Sequence, residues 1–163
     1  MRQIILIIGG NIGDRLSLIT QAKQLLEEKI GKVSLISSLY ETEAWGGNSK
    51  GNYLNQILVL ESPLAADEVL DKALQIEKVL GRQRDIKWGN RTMDIDILYY
   101  GDEIIDSPNL KIPHPYLHLR RFVLEPLAEV VPNLVHPILN LTSTELLQNC
   151  QDDSIVKVIG EKP

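Results

Sequence analysis

One cysteine, Cys150, is all that the 163 residues hold, which excludes an internal disulfide and a cysteine-built metal site. It falls late, in a segment that reads as helix, and is most simply a small buried apolar side chain. Long apolar runs are also missing. None reaches the roughly 18–20 residues that cross a bilayer. The apolar start, Ile4 to Ile8, is too short for a secretory signal and has no small-residue cleavage site behind it. A basic excess is absent: the formal net charge of −5 argues against a general nucleic-acid binder. No internal repeat, low-complexity tract or interdomain linker interrupts the chain. What remains is one domain with 44% hydrophobic residues, long enough for a sizeable core and expected in a reducing cytoplasm.

The most informative stretch runs from Arg82 to Gly101, RQRDIKWGNRTMDIDILYYG. Its second half alternates as a strand does, so Asp94 and Asp96 share one face while Met93, Ile95 and Ile97 take the other. Two strand residues span roughly 6.6 Å, which lets both carboxylates converge on one metal ion or bracket a close pair. Two bare carboxylates repel unless a cation answers them. Arg82, Arg84, Lys87 and Arg91 lie just upstream and can do so. Acids beside cations suit a polyanion that arrives with its own metal, such as a nucleotide with Mg²⁺. A lone D-x-D is otherwise a common surface pattern; the apolar alternation and the four cations give this one its weight.

Taken in order, residues 3–8 read as a buried central strand. The run Gly9-Gly10-Asn11-Ile12-Gly13 breaks it, and Asp14 caps a helix from Arg15 to Lys29 whose apolar side holds Leu16, Ile19, Leu25, Leu26 and Ile30. The glycine spacing matches neither G-x-G-x-x-G nor a P-loop, so a tight turn is preferred to a phosphate cradle. Residues 32–40 read as a half-buried strand and 41–52 as a polar loop carrying Thr42 and Trp45. A strand follows from Tyr53 to Glu61, with Tyr53 and Asn55 on one face. Aromatic faces and an amide beside a glycine-rich loop suit a flat heterocycle; packing of the loop onto the sheet explains them equally well. Ser62-Pro63 opens a second helix that Gly81 stops near Leu80. Glu77, one turn before the cations, is either a solvated acid or a ligand. The charged segment 82–90, with Trp88 among its cations, is expected to close over a ligand.

The order strand, helix, strand, strand, helix, strand is the split β-α-β-β-α-β arrangement, an α+β ferredoxin-like antiparallel sheet with both helices on one face. Beyond Gly101 lies a C-terminal extension. It holds an irregular stretch, a rigid Pro113-His114-Pro115 turn, a helix from Arg120 to Val130 with Pro126 inside it, a short helix from Thr142 to Asn149 and a strand from Ser154 to Ile159. His114, held between prolines, suits a fixed hydrogen-bond donor, though a plain surface histidine fits as well.

These segments carry a family resemblance over nearly the whole chain. Gly9 to Arg15, Ser38-Leu39-Tyr40-Glu41-Thr42, Tyr53-Leu54-Asn55, Lys87 to Leu98, Pro113-His114-Pro115, Arg120 to Leu124 and Pro126-Leu127 occur in the order found in 6-hydroxymethyl-7,8-dihydropterin pyrophosphokinases, which the chain resembles. The resemblance implies transfer of the β,γ-pyrophosphoryl group of ATP to the hydroxymethyl of a reduced pterin, releasing AMP; a monomer is expected, with no nucleic-acid or membrane partner. Asp94 and Asp96 would hold two Mg²⁺ ions, and Arg82 and Arg91 would stabilise the transferring group. Glu77, Arg84, Lys87, Ile97, Lys111, His114 and Arg120 would line the nucleotide, and Trp88 would seal the pterin side. The pterin would lie between Tyr53 and Phe122, the one phenylalanine of the chain, read by Asn55, Thr42 and groups near Glu43 and Trp45. Asn90 and Tyr116 depart from the usual family residues, Tyr116 standing where many members carry Arg. No Ser-His-Asp or Cys-His set is apparent, so positioning and charge are expected to dominate. Two rival classes fit the residues alone: another two-metal enzyme on a split sheet, such as a nucleotidyl cyclase or polymerase palm, and a non-enzymatic ligand-binding module.

Overall fold

The computed structural model describes residues 1–43, 52–81 and 92–160. Residues 3–8 are six consecutive apolar or extended-favouring positions, and they form the middle of β1 (Arg2–Gly10), buried from Ile4 onward. A strand apolar on both faces needs cover on both, and the chain supplies it. Toward one face, Ile4, Leu6 and Ile8 meet Ile19, Ala22 and Leu26 of α1 (Arg15–Lys29) and Val69, Ala73 and Ile76 of α2 (Ala66–Val79). Toward the other, Ile5 and Ile7 meet Val123, Leu124 and Leu127 of α3 (Arg121–Val130) and Leu146 of α4 (Ser143–Gln148). The sheet is therefore the middle of three layers, and the C-terminal extension is its second cover.

Around β1, the β4 strand (Tyr53–Ser62) pairs on one side and β5 (Asp94–Tyr100) on the other, both antiparallel. The main sheet runs β5-β1-β4-β3-β8, with β2 (Lys32–Ile36) also on β4, β3 being Leu39–Thr42 and β8 Val156–Gly160. The expected single strand over 32–40 is thus two. They part at Ser37, where one half of the ladder pair is kept and the other passes to the side chain: Ser37 N–H donates to Ile57 O at 2.9 Å, Ile57 N–H donates to Ser37 Oγ at 2.9 Å, and the hydroxyl donates to Ser38 O at 2.7 Å. A serine hydroxyl offers both a donor and acceptors, so it can satisfy a buried backbone at such a break.

Other boundaries also move. β1 extends through Gly9 and Gly10, which were read as its break. Ser62 ends β4, and α2 starts at Ala66 rather than at Pro63; Ala65 N–H donates to the Glu68 carboxylate at 3.1 Å there. Leu16 of α1 is exposed, because the buried stripe runs through Ile19, Ala22 and Leu26 instead. The stretch after Gly101 contains a small hairpin, β6 (Ile105–Asp106) with β7 (Lys111–Ile112). Arg120 is the N-cap of α3 rather than its first residue. Cys150 is half-buried just past α4, packed against the second core. Among the described residues, no helix is long and apolar enough to cross a membrane.

α3 is fixed to the sheet by Glu129. Its carboxylate accepts from Ser38 N–H at 3.0 and 3.1 Å, from Ser38 Oγ at 3.1 Å and from the Tyr40 hydroxyl at 2.6 Å. Burial, that hydrogen bond and the Glu129 charge all raise the Tyr40 phenol well above its ordinary pKa, so it stays a donor at any working pH. At the other end, Arg121 N–H donates to Asp152 Oδ2 at 3.0 Å and its Nε to Asp152 O at 2.8 Å, which ties the approach to β8 onto α3. A hydrogen bond to a charged acceptor contributes about 1.5–3 kcal/mol, so Tyr40→Phe is expected to lower unfolding free energy by about that amount. Urea denaturation should show the midpoint fall with the m-value unchanged.

Candidate active site

The strand register decides which side chains meet. Across β5, β1, β4 and β3, Asp94 pairs with Gly9, Gly9 with Asn55 and Asn55 with Tyr40. To one side of this row Asp96 pairs with Ile7, and to the other side Thr42 pairs with Tyr53. Paired residues share a face, so Asp94, Asp96, Asn55, Tyr53 and Thr42 all lie on the α3 side of the sheet. Met93, Ile95 and Ile97 are buried in the core on the other side. The alternation expected for the aspartates holds. It ends at Leu98, where a bulge shifts the register so that both Leu98 and Tyr99 join the second core.

Gly9 is at the centre of that row. A Cβ there would lie 2.1 Å from Leu54 O and 2.3 Å from Asn55 Oδ1. The missing side chain is what leaves room for the Asn55 amide against β1. A glycine inside a strand marks such a close approach, and in the sequence alone the same glycine fits a tight turn as well.

Glu77 is not a solvated acid. It is 1% exposed, and its Oε2 accepts from Ile95 N–H at 2.7 Å. The carboxylate comes from α2, on the far side of the sheet, and holds the main chain between the two aspartates. Ile97 sits in the same far-side core, so its side chain is not brought to the site. Lys111 pairs with Asp106 across the β6–β7 hairpin.

The phosphate-side candidates come from the segment after β7. The Ile112–Pro113 peptide is cis. His114 N–H donates to Leu98 O at 3.0 Å, which docks the turn beside the bulge of β5. Its Nδ1 accepts from Tyr116 N–H at 3.2 Å. A neutral imidazole with Nδ1 as acceptor carries its proton on Nε2, the nitrogen left to donate to an anion. Burial and the Arg120 guanidinium push the His114 pKa down to about 4, with Asp94 pulling the other way. His114, Arg120 and Asp94 therefore sense one another. Arg120 lies 5.8 Å from the centre of the Phe122 ring, and Phe122 is half-buried against the second core.

Of the flat-ligand candidates, Tyr53, Asn55 and Thr42 share the α3 face of the sheet. Thr42 is 3% exposed, and its hydroxyl has no hydrogen-bond partner among the described residues. A buried hydroxyl left unsatisfied costs free energy that a ligand's polar edge would recover. Glu43 follows it directly. Trp45, Arg82, Arg84, Lys87, Trp88 and Arg91 lie outside the described residues, as does the 82–90 segment expected to close.

Among the described residues no three His, Cys, Asp or Glu side chains group as a metal site. The donor set is two carboxylates on one strand face, which fits a hard cation that brings most of its oxygens with it and not a closed protein cage.

Fold and face together define an α+β protein with a carboxylate pair, a cation and a flat aromatic edge on one side of an antiparallel sheet. The family model for 7,8-dihydro-6-hydroxymethylpterin-pyrophosphokinase (HPPK) matches residues 5–132. A curated 2-amino-4-hydroxy-6-hydroxymethyldihydropteridine pyrophosphokinase of Aquifex aeolicus is 45% identical over 138 residues, covering 85% of this chain and 86% of its own. One of the same name from Bacillus subtilis is 41% identical over 124 residues, covering 76% and 74%. The solved HPPK-DHPS triple mutant of Plasmodium falciparum, in complex with SDX-DHP, superposes with a TM-score of 0.74 at 19% identity over 90% of this chain. This chain spans 41% of that longer one, and that likeness shows the fold. The chain belongs to the HPPK family.

Since the folded His114 pKa is about 4, below the ordinary 6.5, its effect on stability has a definite sign. Above pH 6.5 the imidazole is neutral folded and unfolded, and nothing is lost. Between 6.5 and 4 the unfolded chain takes up a proton that the folded chain refuses, so stability falls as the pH drops through that window. His114→Gln should flatten this part of the curve in ligand-free denaturation; an unchanged slope would show that the imidazole is not held neutral.

Proposed function

We infer that this chain does what its family does. It transfers pyrophosphate from ATP to 6-hydroxymethyl-7,8-dihydropterin, giving the pterin diphosphate and AMP, in folate biosynthesis. The observation that carries this reading to the residues is the cross-strand row: the carboxylate pair on β5 and the amide of Asn55 on β4 face the same way across Gly9.

Asp94 and Asp96 are the residues that would hold two Mg²⁺ ions, which supply charge neutralisation along the triphosphate. This chain's own groups do the rest. His114 Nε2–H and Arg120 offer donors to the phosphates, while Glu77 keeps the β5 main chain from shifting under the load. Tyr53 and Phe122 present flat faces to the pterin, with Asn55 and Thr42 matching its donors and acceptors. Arg82, Arg84, Lys87, Trp88 and Arg91 keep the roles that the resemblance implies. The hydroxymethyl oxygen needs no dedicated activating triad when it is held in line with the β-phosphorus and water is kept out.

The sheet order β5-β1-β4-β3, with both crossing helices on one face, supports a ferredoxin-like split β-α-β-β-α-β unit. Both cores share one sheet, which supports a single domain over residues 1–163. A polymerase or cyclase on the same sheet would also carry paired aspartates, but a net charge of −5 disfavours a nucleic-acid template.

Asp96→Ala should lower turnover by on the order of a thousandfold, the size of several kcal/mol of lost charge stabilisation. Its circular dichroism should be unchanged. Product analysis with ATP, Mg²⁺ and hydroxymethyl-dihydropterin should show AMP; full activity in the variant, or ADP as product, would refute the assignment.

A further inference from the structure

We propose that Tyr116 is a positioning residue for Arg120, setting the guanidinium in place for the nucleotide phosphates; this rests on the phosphate-side role given to Arg120 above. The Arg120 Cζ lies 5.3 Å from the centre of the Tyr116 ring and 5.8 Å from that of Phe122. The Tyr116 ring also meets His114 edge-on, with centroids 6.0 Å apart and planes at 63°. Tyr116 is 53% exposed and is not needed to fill a core. Its backbone N–H fixes the His114 tautomer, as described, and any residue could do that. The ring is what only an aromatic side chain supplies.

The chemistry favours this arrangement over an ion pair. A guanidinium stacks on aromatic faces while its N–H donors point outward in its own plane. A carboxylate partner would occupy those donors and offset the charge that a phosphate must find. Among the described residues Arg120 has no carboxylate within salt-bridge distance; its contacts are the two rings. The rings limit its rotamers and leave its charge and its donors available. The side-chain ordering that binding would otherwise require is thus partly complete before the nucleotide arrives. Phe122 contributes to the same bracket from α3 but is committed to the core and to the pterin side. Tyr116 has no other packing duty, so its effect can be isolated.

The test has two readouts. In ligand-free protein, the Arg120 Nε–Hε resonance should shift in Tyr116→Ala, which removes the ring current, and stay near its wild-type place in Tyr116→Phe. Titration with a non-hydrolysable ATP analogue and Mg²⁺ should weaken about two- to fivefold in Tyr116→Ala, the share of an exposed cation–π contact, and be unchanged in Tyr116→Phe. Pterin affinity should not move in either variant. The double variant Tyr116→Ala/Arg120→Ala should bind the analogue no more weakly than Arg120→Ala alone. An unmoved resonance overturns the proposal, and so does a Tyr116→Ala loss that persists when Arg120 is already absent. If Arg120→Ala leaves analogue affinity intact, the phosphate role of Arg120 fails and the proposal fails with it. If Arg120→Ala weakens binding and Tyr116→Ala does not, only the positioning role is lost.

Discussion

Burial of β1 on both faces is the constraint from which the rest follows. A strand with one buried face is held in register because a one-residue slip would turn its apolar set to water. Here a one-residue slip would exchange Ile4, Leu6 and Ile8 with Ile5 and Ile7 between two different cores. The register of β5 on β1 is fixed by packing over the whole strand, and the direction of Asp94 and Asp96 is fixed with it. Two carboxylates side by side are unfavourable by themselves, so they stay where they are because the hydrophobic alternation around them leaves no alternative. The site is thus positioned by groups that take no part in its chemistry.

The two covers of the sheet have different work. α1 and α2 close the far side, and from there Glu77 reaches through to the main chain between the aspartates. α3 closes the near side, with Arg120 at its N-cap and Phe122 in its first turn. Glu129 at the other end of α3 locks onto Ser38 and Tyr40 of the sheet. A helix held at its far end by a carboxylate with four acceptor contacts can carry a precise group at its near end. The rigidity there suits a reaction governed by positioning and electrostatics.

Much of this was legible in the sequence because period-two alternation is a local signal. Asp94 and Asp96, the strand that bears them, α1 and the short α4 all follow from spacing and caps within a few residues. The elements that were misplaced depend on distant partners. Ser37 looks like another polar strand residue until Ile57 is set against it. Glu77 looks like a helix surface acid until Ile95 lies over it. Gly9 reads as a turn residue because the Asn55 side chain that needs its space is more than forty positions away. The second cover was foreseen only as an extension, since nothing local says which face of a sheet an isolated helix will find. Phe122 and its role came from family resemblance alone, as a single aromatic in an amphipathic helix is usually core.

The close approach of Asn55 to Gly9 has a consequence for how this site can change. Over Gly9 the space a side chain would need is already taken by Leu54 O and the Asn55 amide. Any atom added at position 9 would displace that amide or the β4 backbone, so the position is closed to every residue but glycine.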